Sequence, residues 1–448
     1  LPDHRKEIFR TRCGHQKGKI MKIIQSSAAG FHQFFKSLRQ RGGSLSPEIV
    51  SAVMKIVNRV AADGDRALFQ YTVKFDGYKP TATTVEVTAA EKKQAIARVA
   101  PEDLIMMEMA AGRIEDYHRH QIAHGYQVKK ERGVELGQRI LPLRRVGIYA
   151  PGGKASYPST ILMAAVPARL AGVEEIVLAS PTPLGNLHPL VAAAADIGGI
   201  HRIFKIGGAQ ALAALAYGTE TIPQVDKIVG PGNAYVAAAK KIVFGQVDID
   251  MIAGPSEVVV IADTTAKASF VAADMLAQIE HDEMAAALLL TPSENLAGEV
   301  IREIHRQLKT SSRKTIIEKS LKKYCAIIIT RSIDEAVAIS NDFAPEHLEL
   351  MVKNPKKILN KVRNAGSVFL GSYTPEALGD YLAGTNHILP TGGTARFSSP
   401  LGVYDFYKRM SYLSFSREAL NRFSAATARF AKKEGLDAHA RSVLIRGK

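Results

Sequence analysis

Hydrophobic and polar positions divide the chain into regions of different pattern. From residue 31 to 125, apolar residues recur with helical spacing, as in SPEIVSAVMKIVNRVAADGDRALFQYTVKF, where Ser46 and Pro47 occupy cap and first-turn positions. From residue 145, short apolar runs that end in glycines, such as RRVGIYAPGG, alternate with apolar helical segments such as STILMAAVPARLAG. Strand, glycine turn and helix in alternation are typical of βαβ units and a parallel sheet.

This alternation occurs in two sets. The first set runs RRVGIYAPGG, EEIVLAS, HRIFKIGGAQALAALAYG and DKIVGPGNAYVAAAKKIVFG. The second set contains EVVVIAD, AALLLT, CAIIIT, HLELMV and GSVFLG, with helices predicted at 266–281, 293–309 and 332–341. We therefore predict an α/β fold with two Rossmann-like parallel-sheet domains, one inserted in the other, a helical N-terminal region and an extended C-terminal tail.

A long segment near the end of the second set has a different composition. Residues 371–400, GSYTPEALGDYLAGTNHILPTGGTARFSSP, are rich in glycine, threonine, serine and proline and have weak periodicity, which predicts a loop. A loop of this length inside a compact domain is typically functional or disordered. Asp380, Asn386, His387 and the scattered apolar residues favour a functional loop.

Composition excludes several classes of protein. Apolar residues make up 46% of the chain and charged residues 23%, which is ordinary for a soluble globular protein. No stretch approaches the ~18 uninterrupted apolar residues of a membrane span, so no membrane partner is expected. Two cysteines, Cys13 and Cys325, cannot form a disulfide framework or a thiolate metal site, which favours a reducing, cytoplasmic location.

The formal net charge of +16 raises the hypothesis of a nucleic-acid-binding protein. Basic residues cluster only in RKEIFRTRCGHQKGK at the start, and elsewhere they are scattered among acids. The chain also lacks tryptophan and aromatic clusters. We therefore favour a solvated basic surface that attracts anionic small molecules, and we expect no nucleic-acid partner.

Three glycine turns follow predicted strands, at 151–153, 207–210 and 230–235. GPGNAY at 230–235 departs from the G-x-G-x-x-G fingerprint because Tyr235 occupies its last position. Glycines still permit close backbone approach, and the helix that follows offers free N–H groups to an anion. Nucleotide binding at the edge of a parallel sheet is the hypothesis, with plain tight connections as the alternative.

Two motifs carry candidate chemistry. DMLAQIEHDE places Gln278 and His281 three positions apart, so on one helix both side chains can converge on one small object. APEHLEL sets Glu346 beside His347 after Pro345, a residue suited to a first helical turn, and a histidine can act as a base near neutral pH. An exposed acid–imidazole pair at a helix start is the alternative for the second motif.

A metal site is a further hypothesis. Its candidate ligands are Gln278, His281, Asp380, His387 and His439, whose oxygen and nitrogen donors suit zinc or a related divalent ion. None of these residues has the H-x-x-x-H or C-x-x-C spacing that indicates a metal site by itself. Spacing alone therefore leaves them as ordinary structural or surface residues.

The motifs together resemble the histidinol dehydrogenase family. The resemblance extends from about residue 22 to 446 and is carried by VGIYAPGG, SYPSTILMAAVPA, GGAQALAALAYGTE, VDKIVGPGNAYVAAAK, DMIAGPSEVVVIAD, AQIEHD, APEHLEL, GSVFLG and GDYLAGTNHILPTGGTARFSSPL. It implies an enzyme of the last step of histidine biosynthesis that oxidises L-histidinol through an aldehyde to L-histidine. The implied cofactors are NAD, used twice in succession, and one Zn²⁺ per subunit.

The resemblance also implies a role for each matched residue. Glu346 and His347 match the catalytic pair, and Gln278, His281, Asp380 and His439 match the zinc ligands. Tyr149, Gln210 and Asn233 match the NAD site. The implied substrate contacts are Ser256, Gln278, His281, His347, Asp380, His387, Glu434 and His439. Members of the family are homodimers with crossed tails, so Glu434 and His439 are expected to complete the active site of the partner.

The expected domain boundaries follow from these observations. They are a disordered extension at 1–20, a helical region with the start of the first α/β domain at 21–148, an inserted α/β domain on the NAD side at 149–256, the remainder of the first domain with metal and catalytic residues at 257–400, and a dimer-crossing tail at 401–448.

Two further alternatives remain beside a histidinol dehydrogenase. A dehydrogenase of the same family could act on another polar alcohol, although the tail segment EGLDAHA keeps both Glu434 and His439, which favours histidinol. A metal-assisted hydrolase could use Glu346 as its base, but the glycine turns after parallel strands speak against this class.

Overall fold

The computed structural model describes residues 21–41, 45–151 and 157–447. The expected extension at residues 1–20 and the glycines at 152 and 153 lie outside the described residues. Among the described residues, no helix combines the length and apolar character needed to cross a membrane.

Strands and helices alternate along most of the described chain. The strands are β1 (Lys22–Gln25), β2 (Tyr126–Val128), β3 (Val134–Pro142), β4 (Arg145–Tyr149), β5 (Glu175–Ala179), β6 (Arg202–Phe204), β7 (Lys227–Val229), β8 (Asp248–Ile249), β9 (Glu257–Ala262), β10 (Ala286–Thr291), β11 (Ala326–Ile329), β12 (His347–Met351), β13 (Ser367–Leu370) and β14 (Tyr407–Phe415).

The helices of the described residues are α1 (Phe31–Arg39), α2 (Pro47–Asp63), α3 (Asp65–Asp76), α4 (Ala89–Ile96), α5 (Pro101–Arg119), α6 (Pro158–Leu170), α7 (Pro189–Gly198), α8 (Gly208–Tyr217), α9 (Ala234–Val243), α10 (Ala268–Ile279), α11 (Glu294–Gln307), α12 (Lys314–Tyr324), α13 (Ile333–Phe343), α14 (Pro355–Leu359), α15 (Glu376–Tyr381), α16 (Arg417–Lys433) and α17 (Asp437–Leu444). Ser46 caps α2 by accepting a hydrogen bond from the backbone of Ile49, with Pro47 in the first turn, as predicted.

Two parallel sheets form the body of the molecule, and the predicted α/β class is confirmed. The first sheet has the order β1–β11–β10–β9–β12–β13, and the second has the order β6–β5–β4–β7–β8. Every strand of the second sheet comes from the chain between β1 and β9. The second sheet is therefore built from a segment that interrupts the first.

The central strands of the first sheet are buried on both faces. Every residue of β9, β10, β11 and β12 is buried. Parallel strands covered by helices on both sides need apolar residues at successive positions instead of alternate ones. This explains why VVVIA, ALLLT and AIII read as continuous apolar runs.

The segment 371–400 is only partly loop, so the prediction for it is wrong in part. Residues Glu376–Tyr381 form α15, and Thr394–Arg396 form a single 3₁₀ turn. Pro375 directly precedes α15 at its N-cap position, and proline is well tolerated at the beginning of a helix. The short helix is hidden in the sequence because six residues are too few for a helical period to show.

In the C-terminal tail, a 3₁₀ turn at Val403–Phe406 leads into β14, which pairs antiparallel with β3 in a separate sheet of the order β14–β3–β2. The tail continues through α16 and α17, which carry large exposed apolar side chains. Phe430 is 70% exposed and Ile445 is 66% exposed.

Candidate active site

Several polar residues of interest converge where strands of the first sheet begin. β9 and β12 are neighbours, with Val258 opposite His347, so the residues at their amino ends also lie side by side. The backbone N–H of Glu257 donates a 3.0 Å hydrogen bond to Glu346 Oε2. The backbone carbonyl of the same residue lies 3.3 Å from His347 Nδ1. One residue of β9 therefore holds both members of the acid–imidazole pair.

The pair lies at the start of a strand, so the strand predicted at HLELMV is confirmed and the helix start predicted at Pro345 is wrong. The preceding helix, α13, ends where Ala344 adopts a left-handed conformation with φ of 53°. The chain then joins the sheet, and the Ser367 N–H donates to the Glu346 carbonyl. Glu346 and His347 are both buried, which excludes an exposed pair.

His347 is held as a neutral imidazole with one free nitrogen. A carbonyl oxygen can only accept, so the hydrogen bond to Glu257 places the ring proton on Nδ1 and leaves the lone pair on Nε2. Nε2 is buried and has no hydrogen-bond partner among the described residues, and Asp380 Oδ1 lies 3.9 Å away. Burial lowers the pKa of His347 to about 3, so the ring is neutral near neutral pH and Nε2 carries no proton.

Acidic side chains surround this imidazole. Glu346 Oε2 and Glu376 Oε1 lie 3.8 and 3.7 Å from His347 Nδ1. Burial raises the pKa of Glu346 and of Glu376 well above the usual range, and nearby carboxylates, including Asp380, raise both further. Burial also raises the pKa of Asp380 to about 6. A cation bound among these groups would favour their ionised forms.

Gln278 points into this cluster from the last turn of α10. With the amide oriented so that its oxygen faces a donor and its nitrogen faces acceptors, the oxygen accepts from the Glu257 N–H at 2.9 Å and the nitrogen donates to both oxygens of Glu376, at 2.9 Å to Oε2. Sequence reasoning missed Glu376. The available signal was its position four residues before Asp380 in TPEALGDY, since residues with that spacing share a helical face.

His281 lies beyond the end of α10, so the prediction of one shared helical face with Gln278 is wrong. The helix ends at Ile279, and Asp282 forms a turn in which its carboxylate accepts from the Met284 N–H at 2.7 Å. Asp side chains favour such turns over continued helix. His281 still lies near His347, since a positive charge on His281 would lower the pKa of His347 further.

The partly helical segment that follows β13 connects the two sheets. His387 Nδ1 donates to the Asp380 carbonyl at 2.8 Å, and its Nε2 lies 3.1 Å from Thr160 Oγ1 on α6. Asn386 Nδ2 donates to the Met163 carbonyl of the same helix at 2.8 Å. His387 therefore anchors the segment that carries Asp380. Its role as a substrate contact stays a prediction, as does that of Ser256, which directly precedes β9.

Two different sets of side chains could hold a metal ion here. Ligand atoms of His347, Glu376 and Asp380 lie within 4.8 Å of one another. Within the described ranges, no other group of three or more His, Cys, Asp or Glu residues comes together in this way. It shares only Asp380 with the expected zinc set. Both sets offer the nitrogen and oxygen donors that zinc accepts, and the free His347 Nε2 among crowded carboxyl groups fits a site for a cation.

Glu434 and His439 lie away from this group, on the tail. Glu434 caps the C-terminus of α16, and His439 lies in α17. Both residues are exposed to solvent in the described chain. The single chain therefore does not bring them into the group formed by His347, Glu376 and Asp380.

The residues expected at the NAD site lie near the carboxyl edge of the second sheet. Tyr149 ends β4, and its hydroxyl accepts from the Gly208 N–H at 3.2 Å, while burial raises its pKa to about 12. Gln210 is buried in α8, and neither polar atom of its amide has a hydrogen-bond partner among the described residues. Asn233 caps α9 by accepting from the backbone N–H groups of Tyr235 and Val236.

Gly230 forms the turn between β7 and α9 with a φ of 118°. A Cβ atom at this position would overlap the carbonyl oxygen of Tyr149. The turn is anchored by Asp250, whose carboxylate accepts from the Gly230 N–H at 2.8 Å and pairs with the buried Lys240 ammonium at 2.5 Å. Close backbone approach is therefore built into this edge of the sheet.

Comparison with known proteins identifies the family. The family model for histidinol dehydrogenase matches residues 39–447. The chain belongs to the histidinol dehydrogenase family. A histidinol dehydrogenase of Syntrophotalea carbinolica is 50% identical over 427 residues, covering 95% of this chain and 99% of the relative. One of Aquifex aeolicus is 53% identical over 409 residues, covering 91% of this chain and 95% of the relative.

A solved structure supports the same conclusion at the level of the fold. The crystal structure of histidinol dehydrogenase from Elizabethkingia anophelis matches with a TM-score of 0.90 and 38% identity, covering 96% of this chain and 99% of that one. The family resemblance deduced from the motifs is confirmed. Membership of this family indicates an oxidoreductase.

We predict that Gly230→Ala destabilises the protein more than Gly245→Ala. Both glycines have φ near 110°, at 118° and 102°, but only Gly230 faces a backbone carbonyl, while Gly245 has open space around it. Backbone strain alone should cost Gly245→Ala about 1–3 kcal/mol. Denaturant unfolding should show a clearly larger loss for Gly230→Ala. Equal losses would contradict the claim of close approach.

Proposed function

We propose that this chain is a zinc-dependent histidinol dehydrogenase that oxidises L-histidinol through L-histidinal to L-histidine, the last step of histidine biosynthesis. The observation that carries the proposal is the neutral, buried His347 with a free Nε2 beside the buried Glu346, both held by the backbone of Glu257. Histidinol dehydrogenases carry out two successive oxidations at one carbon, and an imidazole and a carboxyl group side by side can each act as the base in one of them.

His347 acts in the first oxidation. Its Nε2 removes the hydroxyl proton of the alcohol as the carbon gives up a hydride, and the aldehyde forms. The imidazolium that results is stabilised by carboxylate oxygens of Glu346 and Glu376, which lie less than 4 Å from Nδ1. This compensation is needed because burial alone disfavours the protonated ring.

Glu346 acts in the second oxidation. The aldehyde must add water before it can give up a second hydride, and Glu346 takes the proton from that water. Burial raises the pKa of Glu346 well above the ordinary range, which makes its carboxylate a stronger base. Its fixed hydrogen bond to the Glu257 N–H leaves Oε1 to face the water.

When bound, NAD would supply the hydride acceptor of each oxidation, and zinc would supply a positive charge that holds the amine and imidazole of the substrate. We assign the zinc to Gln278, His281, Asp380 and His439 of the partner subunit, one ion per subunit. Gln278 and Asp380 both reach the buried cluster, and this set leaves His347 Nε2 free for proton transfer. We assign NAD to Tyr149, Gln210 and Asn233, because the orphaned amide of Gln210 lacks a protein partner within the described ranges.

The tail supports a homodimer with shared active sites. Phe430 on α16 and Ile445, directly after α17, are largely exposed, so a partner subunit would bury them. A tail that crosses to the partner would bring Glu434 and His439 to its cluster and supply the missing substrate and zinc contacts. With Cys325 free and buried, a cytoplasmic location fits.

One assay separates this function from the alternatives. Histidinol and NAD should give NADH absorbance with histidine as product, and a chelator should abolish the signal. A dehydrogenase for another alcohol would leave histidinol untouched, and a hydrolase or a nucleic-acid-binding protein would form no NADH.

We predict that Glu346→Gln retains alcohol oxidation but loses histidine formation. The amide cannot take a proton from water, so the second step should fall by about 10²–10⁴-fold, while histidinal forms within a few-fold of the parent rate. Product analysis by chromatography measures both steps. The exposed Glu318→Gln is the matched control and should behave as the parent. Histidine formation at the parent rate would contradict the role of Glu346.

We predict that His281→Ala loses bound zinc. Removal of one of four ligands should weaken zinc binding by at least about 10-fold. Metal analysis after gel filtration in dilute chelator measures occupancy directly. His120→Ala, at the exposed end of α5, is the matched control and should keep one zinc per subunit. Full occupancy in His281→Ala would overturn its assignment as a ligand.

We predict that His439→Ala and His347→Ala subunits complement each other when mixed. In a crossed dimer, one of the two sites then carries both substitutions and the other carries neither. Random mixing should restore roughly a quarter of the parent activity, since half of the dimers are mixed and each has one intact site. NADH formation measures the recovery. Confirmed mixed dimers without activity would exclude crossed tails.

A further inference from the structure

The side chain of Arg41 is buried against the residues that lead into β9. Arg41 follows α1, and its side chain is only 1% exposed. A single nitrogen, Nη2, donates to the carbonyl oxygens of Pro255 and Ser256, both at 3.3 Å, and to Glu257 Oε1 at 3.1 Å. One guanidinium group therefore binds all three residues of the segment 255–257.

The segment 255–257 leads directly to the reacting groups. Its last residue, Glu257, offers its N–H to Glu346 and its carbonyl to His347, and the same N–H also meets the Gln278 amide. Ser256 is an expected substrate contact. A change in the path of these three residues would move the acid, the base and the amide together.

Fold stability alone does not account for a buried arginine here. Burying a guanidinium and a carboxylate has a desolvation cost that often equals the gain from pairing them, and apolar side chains of similar volume serve stability as well. Arg41 Nε and Nη1 and Glu257 Oε2 are buried without hydrogen-bond partners among the described residues. An apolar side chain could not donate hydrogen bonds, whereas the guanidinium binds the backbone carbonyls of residues 255 and 256 and fixes their positions.

We propose that Arg41 is a positioning residue that holds the segment 255–257 so that the backbone of Glu257 stays aligned with Glu346 and His347. The inference rests on the proposed function for the identity of the reaction. Arg41 acts through the carbonyl oxygens of residues 255 and 256, in addition to its ion pair with Glu257.

The test compares Arg41→Met and Arg41→Lys with the parent dimer, each loaded with zinc. A small misplacement of reacting groups is expected to lower kcat by about 10- to 100-fold in Arg41→Met, for both histidinol and histidinal. KM should change less than kcat, and kcat is counted per zinc-loaded dimer. Arg41→Lys keeps the charge and should recover part of kcat. It also provides the comparison if Arg41→Met folds poorly.

Arg39→Met is the matched control. Arg39 belongs to the same N-terminal segment, but it pairs with Asp342 and is 35% exposed. Its loss should leave kcat at the parent value. A drop in thermal stability with unchanged kcat per folded, zinc-loaded dimer in both Arg41 variants would show a purely structural role and overturn the proposal.

The double variant Arg41→Met with Glu257→Gln separates the two contacts of Arg41. If the arginine only neutralised the Glu257 carboxylate, removing both charges would restore kcat, and the proposal would be wrong. We expect the double variant to remain slow, because the carbonyls of residues 255 and 256 still lack their donor. Failure of the parent to oxidise histidinol would instead contradict the proposed function, so the two failures are distinguishable.

Discussion

The site depends on two hydrogen bonds made by the backbone of one residue, Glu257, through its N–H and its carbonyl. The N–H holds Glu346, and the carbonyl determines which nitrogen of His347 carries the proton. Glu257 is the first residue of β9, a fully buried central strand of the parallel sheet, so its backbone cannot shift without disturbing the ladder of hydrogen bonds and is a rigid support. An imidazole held in this way is neutral, oriented and free at Nε2, as a base in a dry site must be.

Burial gives the surrounding acids their character. Glu346, Glu376 and Asp380 crowd a small volume, and each has a pKa above its ordinary value because water is excluded, with mutual repulsion adding to the effect at Glu346 and Glu376. Such a cluster is costly in the free protein and is relieved by a cation. The segment that carries Asp380 is fixed through His387 and Asn386 to α6, next to the second sheet. The same residues therefore shape the acidic cluster and connect it to the sheet where we propose that NAD binds.

Much of the fold was predictable because buried parallel strands read as apolar runs, and the family could be recognised from long motifs. The details that failed depend on contacts between distant residues. Glu346 and His347 join a sheet through Glu257, about 90 residues away in the chain, and local periodicity carries no trace of that pairing. The helix that carries Gln278 ends early because Asp282 forms a turn. Glu376 was missed since a six-residue helix shows no period.

The most direct measurement is a crystal structure of the zinc-loaded dimer with histidinol, with zinc located by anomalous scattering at its absorption edge. We expect one zinc per subunit bound by Gln278, His281, Asp380 and His439 of the partner subunit, with His347 Nε2 facing the substrate hydroxyl. Zinc on His347, Glu376 and Asp380 would instead occupy the nitrogen that must accept the proton. That result would contradict the account of His347 as the base.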